Sequence, residues 1–153
     1  MKKHFYLLTL LFAFISLTSF AQQDTSYNKA LADSLGADEY GMKQYTFVIL
    51  KTGNTTIDDQ DKVNAIFRGH LDNITRLAEE GKLIVAGPLT KNEKEYRGIF
   101  IFNIKDPKEV ESLLQTDPAI SSGLLATETY EWYGSAALPK YLEFHTMIEK
   151  NKP

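Results

Sequence analysis

Between Gly69 and Pro88 the chain reads GHLDNITRLAEEGKLIVAGP, and no other stretch narrows the possible folds as much. Apolar residues recur at helical spacing up to Ala78, a glycine stands at position 81, and a short apolar run closes on Gly87-Pro88. That pattern reads as a long amphipathic helix, a left-handed stop and a short buried strand ended by a turn. The helix begins upstream and spans about Asp59 to Glu80. Val63, Ile66, Phe67, Leu71, Ile74, Leu77 and Ala78 form its apolar stripe, and Asp58, Asp59 and Asp61 sit near the positive end of its dipole. His70 lies four residues after Ile66 and four before Ile74, on the apolar side.

The other elements fall into place around this unit. Tyr45–Lys51 (YTFVILK) is a short run of β-branched and aromatic residues and reads as a strand. Lys82–Ala86 is a second strand, Thr90–Arg97 a polar hairpin loop, and Gly98–Ile104 (GIFIFNI) a third strand. Asp106-Pro107-Lys108-Glu109 opens a helix with an aspartate cap, proline at the first position and glutamate three after the cap. That helix ends before Asp117-Pro118, because a residue preceding proline avoids the helical region. Ile120–Leu125 is a turn-rich connection, Thr127–Tyr133 alternates as a strand does, and Pro139 opens a C-terminal helix with Leu138, Tyr141, Leu142, His145 and Ile148 on its stripe.

The resulting order, β-α-β-β-α-β plus a C-terminal helix, is the ferredoxin-like arrangement of the α+β class: an antiparallel sheet with its helices on one face. Strand side chains alternate, so Phe47, Phe100, Phe102 and Trp132 cannot all point at two helices. A second copy covering the other face is the expectation, hence a homodimer.

Residues 1–21 read as a secretory signal peptide: Lys2 and Lys3, an apolar run from Leu7 to Leu17, and a small-x-small site at Ser19-Phe20-Ala21. The apolar run is shorter than the ~20 residues a membrane span needs, so no stable anchor is expected after cleavage. The expected location is periplasmic or secreted. Cleavage removes two lysines and no acid, taking the formal charge from −3 to −5. With no basic run left, nucleic acid and anionic membrane surfaces are poor partners. The chain has no cysteine, which rules out disulfides and thiolate catalysis. Beyond Ala21 it has two histidines and no His-x-x-x-His or Glu-x-x-His spacing, so no metal site is expected. Nor is there a glycine-rich phosphate loop or a serine nucleophile elbow.

Several segments together resemble the signature of YCII-related proteins. They are Gly69-His70-Leu71, Leu77-Ala78-Glu79-Glu80-Gly81-Lys82-Leu83 and Ala86-Gly87-Pro88-Leu89. Downstream follow Gly98 opening a strand, a capped helix, Thr116-Asp117-Pro118, Gly123-Leu124 and a strand ending in Trp132. The resemblance runs from about Tyr45 to Tyr133. The division expected from it is a signal peptide at 1–21, an N-terminal extension at 22–44, a YCII-related domain at 45–134 and a helical tail at 135–153. It implies a dimeric α+β barrel related to muconolactone isomerase. It also implies a site made of His70 and Asp117 that works without metal or organic cofactor. One branch of the family resembles enzymes that remove chloride from a hydroxylated aromatic ring. Members often carry an arginine three residues before the histidine. Here Phe67 stands there, and Arg68 follows on a different side of the helix.

From the residues alone, two roles stay open for each candidate. His70 is a general acid or base near neutral pH, or a core histidine bonded to backbone. Asp117 is a cap like Asp106, or the carboxylate that orients the imidazole. Gly87 and Pro88 leave room for a ligand or only make a turn. Arg68 and Trp132 complete the candidate pocket, and Tyr130, Trp132 and Tyr133 either stack on an aromatic ligand or pack. His145 reaches a pocket only if the tail folds back. The expectation is an exported, cofactor-free acid–base protein of isomerase or lyase type, acting on a small cyclic or aromatic compound. The alternative is a non-catalytic binding or dimerisation module, for which His70→Leu would leave stability unchanged or higher.

Overall fold

The computed structural model describes residues 27–150; residues 1–21, expected from the sequence to be a signal peptide, lie outside the described residues. The elements are α1 (Lys29–Leu35), β1 (Met42–Thr52), α2 (Gln60–Glu79), β2 (Leu83–Pro88), β3 (Tyr96–Phe102), α3 (Pro107–Leu114), α4 (Pro118–Ser121), β4 (Leu125–Ser135), a 3-10 turn (Leu138–Lys140) and α5 (Tyr141–Ile148). The four strands form one antiparallel sheet in the order β2-β3-β1-β4. This is the expected α+β, ferredoxin-like architecture with a C-terminal helix.

Helix boundaries follow the local chemistry. The Asp59 side chain accepts from the N–H groups of Asp61 and Lys62 at the start of α2, and Gly81 (φ 68°) ends that helix in the left-handed region. Asp106 caps α3 by accepting from Lys108 N–H, with Pro107 at the first helical position. The strands β1 and β4 are longer than their apolar runs. Met42, Lys43 and Gln44 pair with Ser135, Gly134 and Tyr133, so sheet pairing draws in residues that the sequence assigns to a linker. The turn-rich stretch after Asp117 holds the single-turn helix α4.

Alternation along the strands gives the sheet two unlike faces. Val48, Leu50, Phe100 and Phe102 point at the helices and are buried with Leu77, Leu83, Val110, Leu114, Ala119 and Leu125. The opposite face carries Phe47, Ile49, Val85, Ile99 and Ile101, all half-buried, with Tyr130 and Trp132 exposed.

Two stripes differ from expectation. On α2 the buried residues are His70, Asn73 and Leu77, while Leu71 is exposed. The helix is rotated so that its i, i+3, i+7 line meets the sheet, and Leu71 lies about 100° round from His70. On α5 the side against α2 carries Leu142 and His145, with the capping Glu149, whereas Phe144, Met147 and Ile148 face out and the Tyr141 hydroxyl donates to the Ile84 carbonyl. Tail packing follows the surface that α2 offers rather than the most apolar line of α5. Among the described residues no helix is long and apolar enough to cross a membrane.

Candidate functional site

The site begins with a missing Cβ. Gly69 sits in the middle of α2, where a built Cβ would lie 2.9 Å from Pro118 Cγ. Glycine therefore lets α4 seat directly on α2, at about 1 kcal/mol of helix propensity relative to alanine. That close approach brings the N-cap of α4, Asp117, onto the residue after Gly69.

The result is a buried pair: His70 Nδ1 lies 2.7 Å from Asp117 Oδ2. The other carboxylate oxygen, Oδ1, accepts the Ala119 N–H at 2.9 Å, so one side chain caps α4 and holds the imidazole at once. Asp117 has no exposed surface. An ionised carboxylate only accepts hydrogen bonds, so Nδ1 carries the proton in this contact and Nε2 is the acceptor nitrogen of the neutral ring. Nε2 has no hydrogen-bond partner among the described residues. No buried side-chain polar atom there is left unsatisfied, and 11 % of the His70 side chain is exposed. Nε2 therefore faces solvent. The ring is clamped between Phe100, stacked at 6.0 Å and 26°, and Phe67, edge-on at 6.0 Å and 81°. Phe67 thus forms one wall of the imidazole slot.

A polar cluster supports the Asp117 segment. Arg76 Nη2 donates to Asn73 Oδ1 at 2.7 Å and to Thr116 Oγ1 at 3.0 Å, bridging α2 to the residue before Asp117. Asn73, buried and one turn from His70, is the site residue that sequence reasoning missed. Its spacing of three from His70 was the available signal, hidden because asparagine does not register in an apolar pattern.

The remaining candidates are scattered. Arg68 is exposed on another side of α2. Gly87 and Pro88 end the edge strand β2, paired with Ile99 and Gly98; Ala86, next to Phe100 on the helix-facing side, is exposed and leaves this margin open. Trp132 lies on the far face of the sheet, its ring 5.5 Å from Tyr45, so the structure does not bring it to His70 within one chain. Tyr130 and Tyr133 flank it on β4: Tyr130 packs on Phe47, and the Tyr133 hydroxyl donates to Asp38. The tail does fold back, but His145 lines a separate cleft of ≈ 600 Å³ between α2 and α5. Neither this cleft nor those at the β2–β3 hairpin and beside α3 includes His70 or Asp117. Among the described residues, no three His, Cys, Asp or Glu side chains converge as metal ligands would.

The profile of the YCII-related domain matches residues 45–132. Among solved structures, the chain is similar to the 5-chloro-2-hydroxyhydroquinone dehydrochlorinase from Burkholderia phenoliruptrix, in complex with 2,5-dihydroxybenzoquinone. The identity is 22%, the likeness covers 57% of this chain and 92% of that chain, and the TM-score is 0.42. No curated protein matches.

Proposed function

The chain belongs to the YCII-related family, and on that premise we propose that His70 and Asp117 form a cofactor-free acid–base centre acting on a small cyclic or aromatic compound. The observation that carries this reading is the doubly used Asp117 carboxylate, buried against Nδ1 while Nε2 is left facing solvent. In that arrangement Nε2 takes a proton from the bound compound. Asp117 holds the ring in the tautomer that keeps this lone pair available and stabilises the imidazolium formed. The imidazolium then returns the proton at a second carbon of the same compound, an isomerisation, or gives it to a group that departs with its bonding electron pair as the new double bond forms, an elimination. This reaction class rests on the family resemblance. Export to the periplasm or beyond, and a homodimer that covers the open sheet face, belong to the same proposal.

The test is turnover of small phenols and cyclic acids by the unaltered chain, His70→Gln and Asp117→Asn. Loss of about 10²–10⁴-fold in kcat/KM in both variants, with the fold retained, is the expected result. Unchanged turnover in both would end the enzymatic reading.

A second reading, a non-catalytic module in which the pair fastens α4 to α2, draws support from the close seating of Pro118 on Gly69 and from the role of Asp117 as the cap of α4. It predicts compound binding that survives His70→Gln, or no binding at all. Stability alone does not separate the two. His70→Leu strands a carboxylate with no solvent contact, and breaking such a buried pair costs about 3–5 kcal/mol whatever its function.

A further inference from the structure

Two side-chain nitrogens on α2 have no hydrogen-bond partner among the described residues, and they stand one turn apart. The first is His70 Nε2, the acceptor nitrogen of the neutral ring. The second is Nδ2 of Asn73, a side chain only 8 % exposed. Asn73 Oδ1 accepts from Arg76 Nη2 at 2.7 Å. A guanidinium can only donate, so the oxygen is the branch of the amide that meets it, and Nδ2 is the other branch. No buried side-chain nitrogen or oxygen is left unsatisfied, so Nδ2, like Nε2, touches solvent.

Both side chains are fastened by their inner atoms to one segment. His70 Nδ1 donates to Asp117, and Asn73 Oδ1 lies 3.1 Å from the hydroxyl oxygen of Thr116, the residue before it. Residues three apart on a helix are surface neighbours, with Cβ atoms about 5–6 Å apart. Helical side chains lean toward the N-terminus, so Asn73 leans over His70. Arg76 holds the amide oxygen from the following turn, which turns Nδ2 toward the preceding one, where the imidazole stands. A donor and an acceptor therefore lie side by side, each fixed from behind. Arg76 also conditions the donor. Its charge on Oδ1 draws electron density out of the amide and makes Nδ2–H a stronger donor. Glu80 Oε1 takes Arg76 Nη1 at 2.7 Å and holds the guanidinium in place. The amide is oriented before any compound arrives, which is what stabilisation of a developing charge requires.

We propose that Asn73 is a further substrate-binding residue of the acid–base centre, its Nδ2–H donating to a carbonyl or phenolic oxygen beside the atom from which His70 Nε2 takes a proton. This rests on the acid–base reading above and narrows the compound to a cyclic ketone, enol or phenol. When Nε2 takes a proton from the carbon next to a carbonyl, the C–H electron pair becomes the new carbon–carbon double bond. The carbonyl π pair moves onto the oxygen, and the charge develops there, against the Asn73 N–H. A phenol that gives up its hydroxyl proton leaves the same charge on oxygen. A compound offering only donors, such as an ammonium, would oppose the Asn73 N–H.

The test uses cyclohexanone, whose oxygen only accepts and whose neighbouring carbons carry exchangeable protons. It is titrated into the ¹⁵N-labelled full chain, and loss of its α-proton signal in D₂O is followed by NMR. The Asn73 side-chain amide and the His70 ring nitrogens should shift together with one midpoint, and exchange should run faster than in buffer. Asn73→Asp keeps an oxygen for Arg76 and Thr116 but sets an acceptor where the donor stood. It should lower affinity and exchange rate about tenfold or more while the His70–Asp117 nitrogen signature is kept. An Asn73→Asp chain that binds and exchanges like the unaltered one would overturn the proposal, because a purely structural Asn73 predicts that result. So would a probe that shifts His70 and not the Asn73 amide, or that shifts neither. Exchange as fast in His70→Gln as in the unaltered chain would remove the acid–base reading itself and the proposal with it. That failure is distinct, since it shows in His70→Gln whether or not the amide responds to the probe.

Discussion

The dipeptide Asp-Pro occurs twice, and the two copies differ in one neighbour. Asp106-Pro107 opens α3 and Asp117-Pro118 opens α4. In each, one carboxylate oxygen accepts the backbone N–H two residues on, at 3.0 and 2.9 Å. The local chemistry is the same. Asp106 is exposed and meets no side chain through its second oxygen among the described residues; Asp117 is buried, and its second oxygen meets His70. A cap is a property of the chain around it. A candidate catalytic carboxylate is a cap onto which the rest of the molecule has folded.

Removing both carboxylates gives the widest separation. Asp117→Ala loses a cap and a buried charge-assisted hydrogen bond, for about 3 kcal/mol, whereas Asp106→Ala loses a cap alone, for about 1 kcal/mol. Urea unfolding of the two variants measures the gap, and equal costs would mean that the His70 contact adds nothing. Next is the approach that creates the difference. Gly69→Ala places a methyl against the Pro118 ring; the gain in helix propensity only partly offsets that strain, leaving a net loss of about 1–2 kcal/mol. The same variant disturbs the ¹⁵N signature of His70, while the α3 cap is unaffected.

A finer test leaves both caps in place. In Asp117→Asn the amide oxygen still takes the Ala119 N–H, so the amide N–H₂ faces Nδ1 and drives the neutral ring to the Nε2–H tautomer. Nitrogen NMR reads this directly as an exchange of the protonated and unprotonated ring nitrogens. Stability falls by about 1 kcal/mol there and barely changes in Asp106→Asn, because asparagine caps as well as aspartate.

The smallest effect belongs to a third aspartate. Asp38 accepts from the N–H groups of Tyr40 and Met42 and from the Tyr133 hydroxyl, tying the N-terminal segment to β4. The Tyr133 contact holds its carboxyl below the usual value of 3.8. A lowered folded value contributes stability that is present above 3.8 and lost as pH falls through the lowered one. Acid titration followed by proteolysis near α1 should show this segment loosening at low pH, and Asp38→Asn should weaken the dependence. The group is exposed, so the effect is small.

The legible part of this protein is local. Strand alternation, the α2 period, Gly81 as a stop and both Asp-Pro caps follow from interactions within a few residues, and they were enough for the element order and the α+β class. The side of each helix that is buried was less legible. Leu71 and Ile148 look like core and are exposed, while Asn73 is polar and buried. Helix orientation is fixed by what lies opposite, and on α2 that includes Thr116 from 43 residues away.

By itself, then, the sequence determined where the chain turns, which residues can cap, and that a histidine lies within a turn of apolar neighbours. Only the tertiary structure decided that Asp117 rather than Asp106 meets an imidazole, that Nδ1 is the nitrogen it holds, and that Trp132 sits on the other side of the sheet. The reason is physical. Caps and periodicity are short-range and repeat wherever the same residues recur. The His70–Asp117 contact joins residues 47 apart through one close approach at Gly69, and no local pattern encodes it.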